Sequence, residues 1–478
     1  MLIDFNASVN NIPKNVEFCI VGSGPAGMTL ALELEQRGRS VLLLEGGGLE
    51  WTPESYELYR GDVIGDYYVG LEYARARQLG GTSGHWGGWS YQLTEYAFKE
   101  KPGFEDAQWP IEKKDLDPFV DKARAMLNIK TPPDDVLLDR DFGIKEFRIS
   151  YSKAKFGQMY RERLASSQRI TCVTSATLTG LHTDGRNIVA ATVTNFKGQS
   201  AKVVAKQYIL AMGGIENSRM LLWFDQQANG QLIDRRAPLG RYWMEHPAYR
   251  VGYALVDLNI PKTEYFKPQL LLTFNEETFK KLGILECSFV LEAMSTSGTK
   301  GLLQELICVA PKVGEWAATL AGKNLVCGGR FIIGWEQEPV WSNHVKLSES
   351  KRDRFGVPTV ELHWKKTERD RATMQKAITH FNEFLMAKKH GRLKLADWVF
   401  AKDGYPSTGN DGVSYHHIGG TRMAHTVEKG VVDKNCRVFG KENLYIAGSS
   451  VFPSGGEANP TLSIVQLSLR LADHLLKV

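Results

Sequence analysis

Short apolar runs that stop at glycine alternate with longer amphipathic stretches along most of the chain. Residues 17–22, Glu-Phe-Cys-Ile-Val-Gly, suit a strand covered on both faces. Residues 28–37 read as a helix with Glu33, Gln36 and Arg37 on its polar side, and Val41 to Leu44 is a second buried strand closed by Glu45 and three glycines. This order predicts a βαβ unit near the start of the chain.

Residues 50–165 mix glycine-rich loops with helical stretches, one over 114–127, and residues 170–206 form a strand meander around Thr183-Asp-Gly-Arg and Lys197-Gly. Tyr208 to Met212 is again a short apolar strand, followed by Gly213-Gly214 and a helix over 216–224. Residues 247–365 alternate in the β manner, with a helical insertion over 301–325; 366–387 is a long amphipathic helix and 461–476 a last one. The expected fold is α/β plus α+β. A doubly wound, Rossmann-like domain discontinuous in sequence, 1–246 with 396–478, is interrupted by a largely β domain over 247–395, and residues 50–165 lend the first domain loops and helices.

Composition adds limits. The chain has 478 residues, 43% hydrophobic and 24% charged, and a net charge of +5, which argues neither for nor against nucleic acid. Its six cysteines are far apart, with no C-x-x-C, and read as reduced core thiols. The first residues show no export signal and no apolar run approaches a membrane span, so a cytoplasmic protein without a transmembrane segment is expected.

Gly22-Ser23-Gly24-Pro25-Ala26-Gly27 is G-x-G-x-x-G between a strand and a helix, where backbone can approach a pyrophosphate at a helix N-terminus. Glu45, at the end of the next strand, is placed to accept from the hydroxyls of an adenosine ribose; a carboxylate there disfavours a 2′-phosphate and leaves FAD or NAD. Further glycine clusters follow at 80–88, 213–214, 419–420 and 448, a density that costs chain entropy unless backbone must pass close to a flat or charged ligand. NAD needs one such unit. Several dispersed units suit FAD stretched across a domain.

The ordered set of Gly22 to Gly27 with Glu45, the Leu79 to Trp86 block, Leu210 to Leu222, Gly240 to Pro247, Gln337-Glu-Pro339 leading to Ser348, and His417 to Met423 followed by Asn459-Pro460 resembles the glucose-methanol-choline (GMC) oxidoreductases over nearly the whole chain. The resemblance implies an FAD-dependent alcohol or sugar oxidoreductase with a flavin domain and a substrate domain on a mostly antiparallel sheet. It carries flavin contacts onto Gly22, Gly24, Pro25, Ala26, Gly27, Glu45, Gly80, Gly81, Thr82, His85, Trp86, Gly448, Asn459, Pro460 and Thr461. The catalytic histidine of the family stands four residues before a threonine, which is His417 before Thr421, and its partner falls on Asn459. A near-neutral imidazole suits the hydroxyl proton that leaves as hydride passes to flavin N5. Adjacent His416 is the alternative base. No carboxylate or cysteine stands at ligand spacing, so no metal is expected.

The block around His85 is similar to that of pyranose oxidases whose histidine is bonded to the flavin; a covalent link and simple packing at the ring edge are both open here. His246 reads as structural. Gln337, after Trp335-Glu336, and Glu457, an acidic residue unusual in the family turn, are the candidate substrate contacts. The insertion at 300–323 reads as a surface helix, a lid or a membrane-surface helix. A sugar or glycoside is the expected substrate; a non-sugar alcohol, a flavin monooxygenase and a non-catalytic flavin-binding protein are the alternatives. Oxygen, a quinone and a carrier protein are equally consistent as electron acceptor.

Overall fold

The apolar runs ending in glycine become the centre of a parallel sheet in the computed structural model, which describes residues 1–8, 12–256, 269–292, 306, 310–320, 328–401, 405–406 and 414–477. Strand Asn15–Val21 pairs in parallel with Val41–Leu44 on one side and with the second half of Ser200–Leu210 on the other. Ile170–Thr174 and Leu2–Asp4 extend the sheet beyond Val41–Leu44, again in parallel. Ser200–Leu210 changes partners along its length. Its first half joins Ile188–Thr194 and Thr177–Thr183 in an antiparallel meander, while Tyr208, Ile209 and Leu210 also pair with Leu444–Ile446 from near the C-terminus. Every residue of Val41–Leu44 is buried, as expected of a strand covered on both faces. Helices Pro25–Gln36 and Thr461–Leu475, from opposite ends of the chain, pack against each other.

The second sheet has seven strands in the order Gly391–Leu395, Ala248–Val256, Gly329–Trp335, Cys287–Glu292, Gln269–Phe274, Ile144–Glu146 and Val136–Asp139, all antiparallel. The long helix Glu368–Ala387 packs on it. Thr367 caps this helix by accepting from Asp370 N at 3.1 Å while Asp370 accepts from Thr367 N at 2.7 Å. Its buried stripe Met374, Ala377, Ile378, Phe381, Phe384 and Leu385 repeats every third or fourth residue. Phe381 stacks on Phe289 and Phe331 with centroids 4.8 and 5.5 Å away.

Two expectations about the segment 50–165 need correction. Val136–Asp139 and Ile144–Glu146 belong to the edge of the second sheet, because Ile144 is fully buried in its core. Gly61–Gly65 pairs in parallel with Pro358–Trp364, which pairs with His344–Arg352, so a small third sheet forms from both sides of the expected boundary around Tyr68, Trp243, Leu362 and Trp364. The helix expected over 114–127 is shortened to Val120–Met126, preceded by single turns at Lys113–Asp115 and Asp117–Phe119. Pro118, which lacks an N–H and crowds the residue before it, accounts for the late start. Of the apolar insertion, Pro311–Leu320 is helical with Val313, Trp316 and Leu320 exposed; Leu302, Leu303, Ile307 and Val309 lie outside the described residues. Among the described residues no helix is long and apolar enough to cross a membrane.

Candidate active site

The carboxyl ends of the parallel strands and the open side of the second sheet enclose a cavity of about 1040 Å³. The turn after Asn15–Val21 forms one end of it. Gly22 has φ +105° and a Cβ there would lie 2.3 Å from Ala211 O, so neighbouring strand ends fix it as glycine. A Cβ on Gly27 would lie 1.9 Å from Gly22 O, which keeps the first helix tight on its strand, whereas Gly24 faces open space. Helix Pro25–Gln36 therefore begins with backbone N–H groups and no side-chain cap beside the cavity, the arrangement that receives a pyrophosphate. Glu45 lines the same end. Its carboxylate accepts from Ser23 N, Ser23 Oγ and Gly47 N, and retains one acceptor site, on Oε1, for a ribose hydroxyl.

The glycine-rich loop after Arg77 lies directly on this turn. Gly80 N donates to Ser23 Oγ at 3.0 Å, and a Cβ on Gly81 would stand 3.1 Å from Gly24 Cα. Gly81, Thr82, His85 and Trp86 line the cavity; Gly80 instead packs on Gly157, with a Cβ 2.1 Å from Gly157 N. His85 is exposed, while Trp86 Nε1 donates to Ala154 O. Gly448, Pro460 and Thr461, the last at the start of the C-terminal helix, complete the lining expected from the sequence; Gly27 and Gly80 stand behind it.

Both histidines and Asn459 reach the cavity, but the pairing differs from the expected one. Asn459 Nδ2 lies 3.1 Å from Nε2 of His416, not of His417. An amide nitrogen only donates, so His416 Nε2 accepts and the ring proton sits on Nδ1, which faces His246 Nδ1 at 2.8 Å. His246 is thus the acceptor that fixes this tautomer. His417 Nε2 is 2.9 Å from Tyr68 Oη, and Tyr68 gives its one proton to Glu245 Oε2 at 2.7 Å. With Glu245 ionised, His417 Nε2 then donates to Tyr68, which places the ring's lone pair on Nδ1. In place of the expected His417–Asn459 pair the structure has a His416–Asn459 pair, with His417 in the same cavity wall. Glu245 also accepts from the backbone N–H of His246 and His416 and so ties the cluster together. Burial pushes His416 well below the ordinary imidazole range, His246 down to about 4 and His417 down to about 3, the last helped by Arg75. All three are neutral at pH 7.

The turn that carries Asn459 is clamped by a buried ion network that no sequence motif announces. Lys101 Nζ lies 2.7 Å from Glu336 and 3.5 Å from Glu286, Glu336 accepts from Gly456 N, and Thr94 donates to Glu286. On the opposite wall Glu216 holds Arg75 at 2.8 Å and Arg219 at 3.0 Å, and Arg219 reaches Asp353. Glu457 lines the cavity, but Gln337 does not. Gln337 is buried, its Oε1 accepting from Glu245 N and Trp364 Nε1 and its Nε2 donating to Lys365 O, so its hydrogen bonds serve the fold. The expectation that Gln337 touches substrate is corrected accordingly. Tyr68 and Thr273 lie outside every motif, and Glu245, inside the Gly240 to Pro247 block, was not singled out; their role comes from contacts between segments far apart in sequence.

Comparison with known proteins agrees with this arrangement. Residues 339–468 match the family model described as GMC oxidoreductase, and residues 20–49 match that of an NAD(P)-binding Rossmann-like domain. The chain is 21% identical to the fructose dehydrogenase large subunit of Gluconobacter japonicus, covering 98% of this chain and 99% of that one. It is 23% identical to 2-methyl-1,2-propanediol dehydrogenase of Mycolicibacterium austroafricanum, covering 95% and 94%. Among solved structures it is similar to pyridoxine 4-oxidase from Mesorbium loti, with a TM-score of 0.61, 15% identity and coverage of 97% and 100%. A dinucleotide turn with free helix N–H groups, a glycine-lined cavity running on past it, the match of residues 339–468 to the GMC oxidoreductase model and similarity along the whole length to named dehydrogenases together make the chain similar to the GMC oxidoreductases, with FAD as the cofactor this site implies.

Proposed function

We propose that the chain oxidises a CH–OH group of a sugar or glycoside to a carbonyl, with His416 as the base and Asn459 as the residue that orients the hydroxyl oxygen. FAD, when bound, supplies the hydride acceptor at flavin N5. What carries the reading is the His416 Nε2 and Asn459 Nδ2 pair, 3.1 Å apart in the cavity wall. An alcohol oxygen entering between the two takes over the amide's donation, and gives its proton to the imidazole lone pair so released as hydride leaves the carbon. Burial keeps that lone pair free of a proton beforehand, and the His246 contact keeps it on the cavity side of the ring. The sugar preference is supported by the polar groups Glu457 and Ser288 in the wall and by the name of the fructose dehydrogenase relative.

In this reading the parallel-sheet part, 1–246 with 396–478, holds the flavin, and the antiparallel sheet of 247–395 shapes the substrate end, with the strands at 136–146 added to it. Exposed His85 is open to a flavin ring edge. Yellow colour retained in an acid precipitate of wild type and lost in His85→Ala assigns a covalent bond there; colour released from wild type leaves His85 a packing residue.

The test is anaerobic. Sugars, glycosides and diols are mixed with the holoenzyme and flavin bleaching is followed; His416→Ala is expected to slow it by about 10²- to 10⁴-fold at unchanged FAD content. Bleaching as fast as wild type in His416→Ala, with the loss appearing in His417→Ala, would move the base to His417.

A further inference from the structure

Glu457 stands two residues before Asn459 on the same turn and faces the cavity. Its one described hydrogen-bond partner is Thr273, whose Oγ lies 2.5 Å from Glu457 Oε2 and 2.8 Å from Cys287 O. A hydroxyl owns a single proton. Both contacts are hydrogen bonds at once only if Thr273 donates to the Cys287 carbonyl and the carboxyl of Glu457 donates to Thr273. The local charge count points the same way. Glu286, Glu336 and Asp135 surround this corner with Glu457, four carboxyls facing two ammonium groups, and both ammoniums are already engaged, Lys101 by Glu336 and Glu286 and Lys145 by Asp135 at 3.0 Å. A further negative charge here would be buried among like charges with no cation of its own. Trp335 lines the same cavity, and its indole N–H is buried without a hydrogen-bond partner, a second donor left for a ligand.

We infer that Glu457 is held as a carboxylic acid at neutral pH, so that the substrate end of the cavity offers neutral hydrogen-bonding groups and selects uncharged polyhydroxyl substrates over ammonium-bearing ones. This rests on the CH–OH oxidation proposed above and specifies its substrate class. An acid that both donates and accepts matches the hydroxyl pattern of a polyol, whereas an ammonium group would have to drive the proton off Glu457 first, at a tenfold loss for each pH unit separating its pKa from the medium. Burial and Glu286 push Glu457 well above the ordinary carboxylate range, the direction this requires. The titratable groups around it are Glu286, Asp135, Lys145, Cys287 and Tyr91, and burial holds both Tyr91 and Cys287 in their neutral forms.

The isosteric Glu457→Gln variant separates a neutral acid from a carboxylate. In the FAD-loaded enzyme the infrared carbonyl band of a protonated carboxyl is expected in wild type and missing from the variant. With glucose as probe, Glu457→Ala is expected to raise KM about tenfold with little change in kcat, and Glu457→Gln, which can still donate and accept, to recover most of that loss. Wild-type KM is expected to rise as pH climbs through the pKa of Glu457, and the Gln variant to lack that rise. A wild-type preference for glucosamine over glucose, a collapse of kcat/KM by about a hundredfold in Glu457→Gln with FAD content intact, or no band difference would each overturn the inference. Failure of every alcohol to bleach the flavin would instead remove the reaction reading and the substrate class with it, and the infrared band would still decide the protonation state.

Discussion

At the residue scale, three neutral histidines in one buried cluster bear on both the proposed chemistry and the acid tolerance. His246 and His417 have folded pKa values of about 4 and about 3 against an ordinary 6.5. Above pH 6.5 neither the folded nor the unfolded chain protonates them, and they cost nothing. As pH falls below that value the unfolded chain takes up protons that the folded chain refuses, so stability is lost progressively until the folded values are reached. Glu245, raised to about 7 by burial, works in the opposite sense and loses its contribution as pH rises from the ordinary carboxyl range toward neutrality. A decline in Tm between pH 6.5 and 4 is therefore expected, flattened in His417→Phe; an unchanged slope in that variant would contradict the assignment of the buried neutral form. That His416 and His417 stand at the cavity was legible in the chain. Which of two neighbours meets Asn459 was not, because it depends on Tyr68 and Glu245, brought in from segments more than 170 residues apart in sequence.

At the scale of elements, periodicity was a reliable guide wherever a segment buries one face against its own neighbours. The stripe on Glu368–Ala387 is one such case, and its centre is Phe381, fully buried between Phe289 and Phe331. Phe381→Ala is expected to lower stability by about 3–5 kcal/mol in denaturant unfolding, by lost transfer energy and the cavity left behind. A loss under about 1 kcal/mol would mean that the sheet and helix collapse to fill the gap. The first turn is the second case. Gly27→Val is expected to yield protein with little bound FAD, since even a Cβ would collide with Gly22 O and lift the helix from its strand; full flavin content in that variant would sink the packing argument. Segments without strong periodicity were read less well. Val136–Asp139 and Ile144–Glu146 are too short for an alternation signal, and the strand that ties this hairpin to the second sheet lies over 120 residues away.

At the scale of the whole molecule, the chain closes on itself. Leu444–Ile446 joins the sheet begun by the first strands, the last helix packs on the first, and the His416–Asn459 pair forms where these returning segments meet the Gly240 to His246 block through Met244 and Ile418. The amino-acid sequence by itself determined the βαβ unit, the glycine positions that admit a flat cofactor and the resemblance to the GMC oxidoreductases, because these rest on local backbone geometry and on spacing within short segments. Tertiary structure alone decided the pairing of the histidines, the retirement of Gln337 into the core and the proton on Glu457. Each of these depends on which donors and acceptors from remote segments arrive within hydrogen-bond distance, and on how little water and counter-charge reach them there.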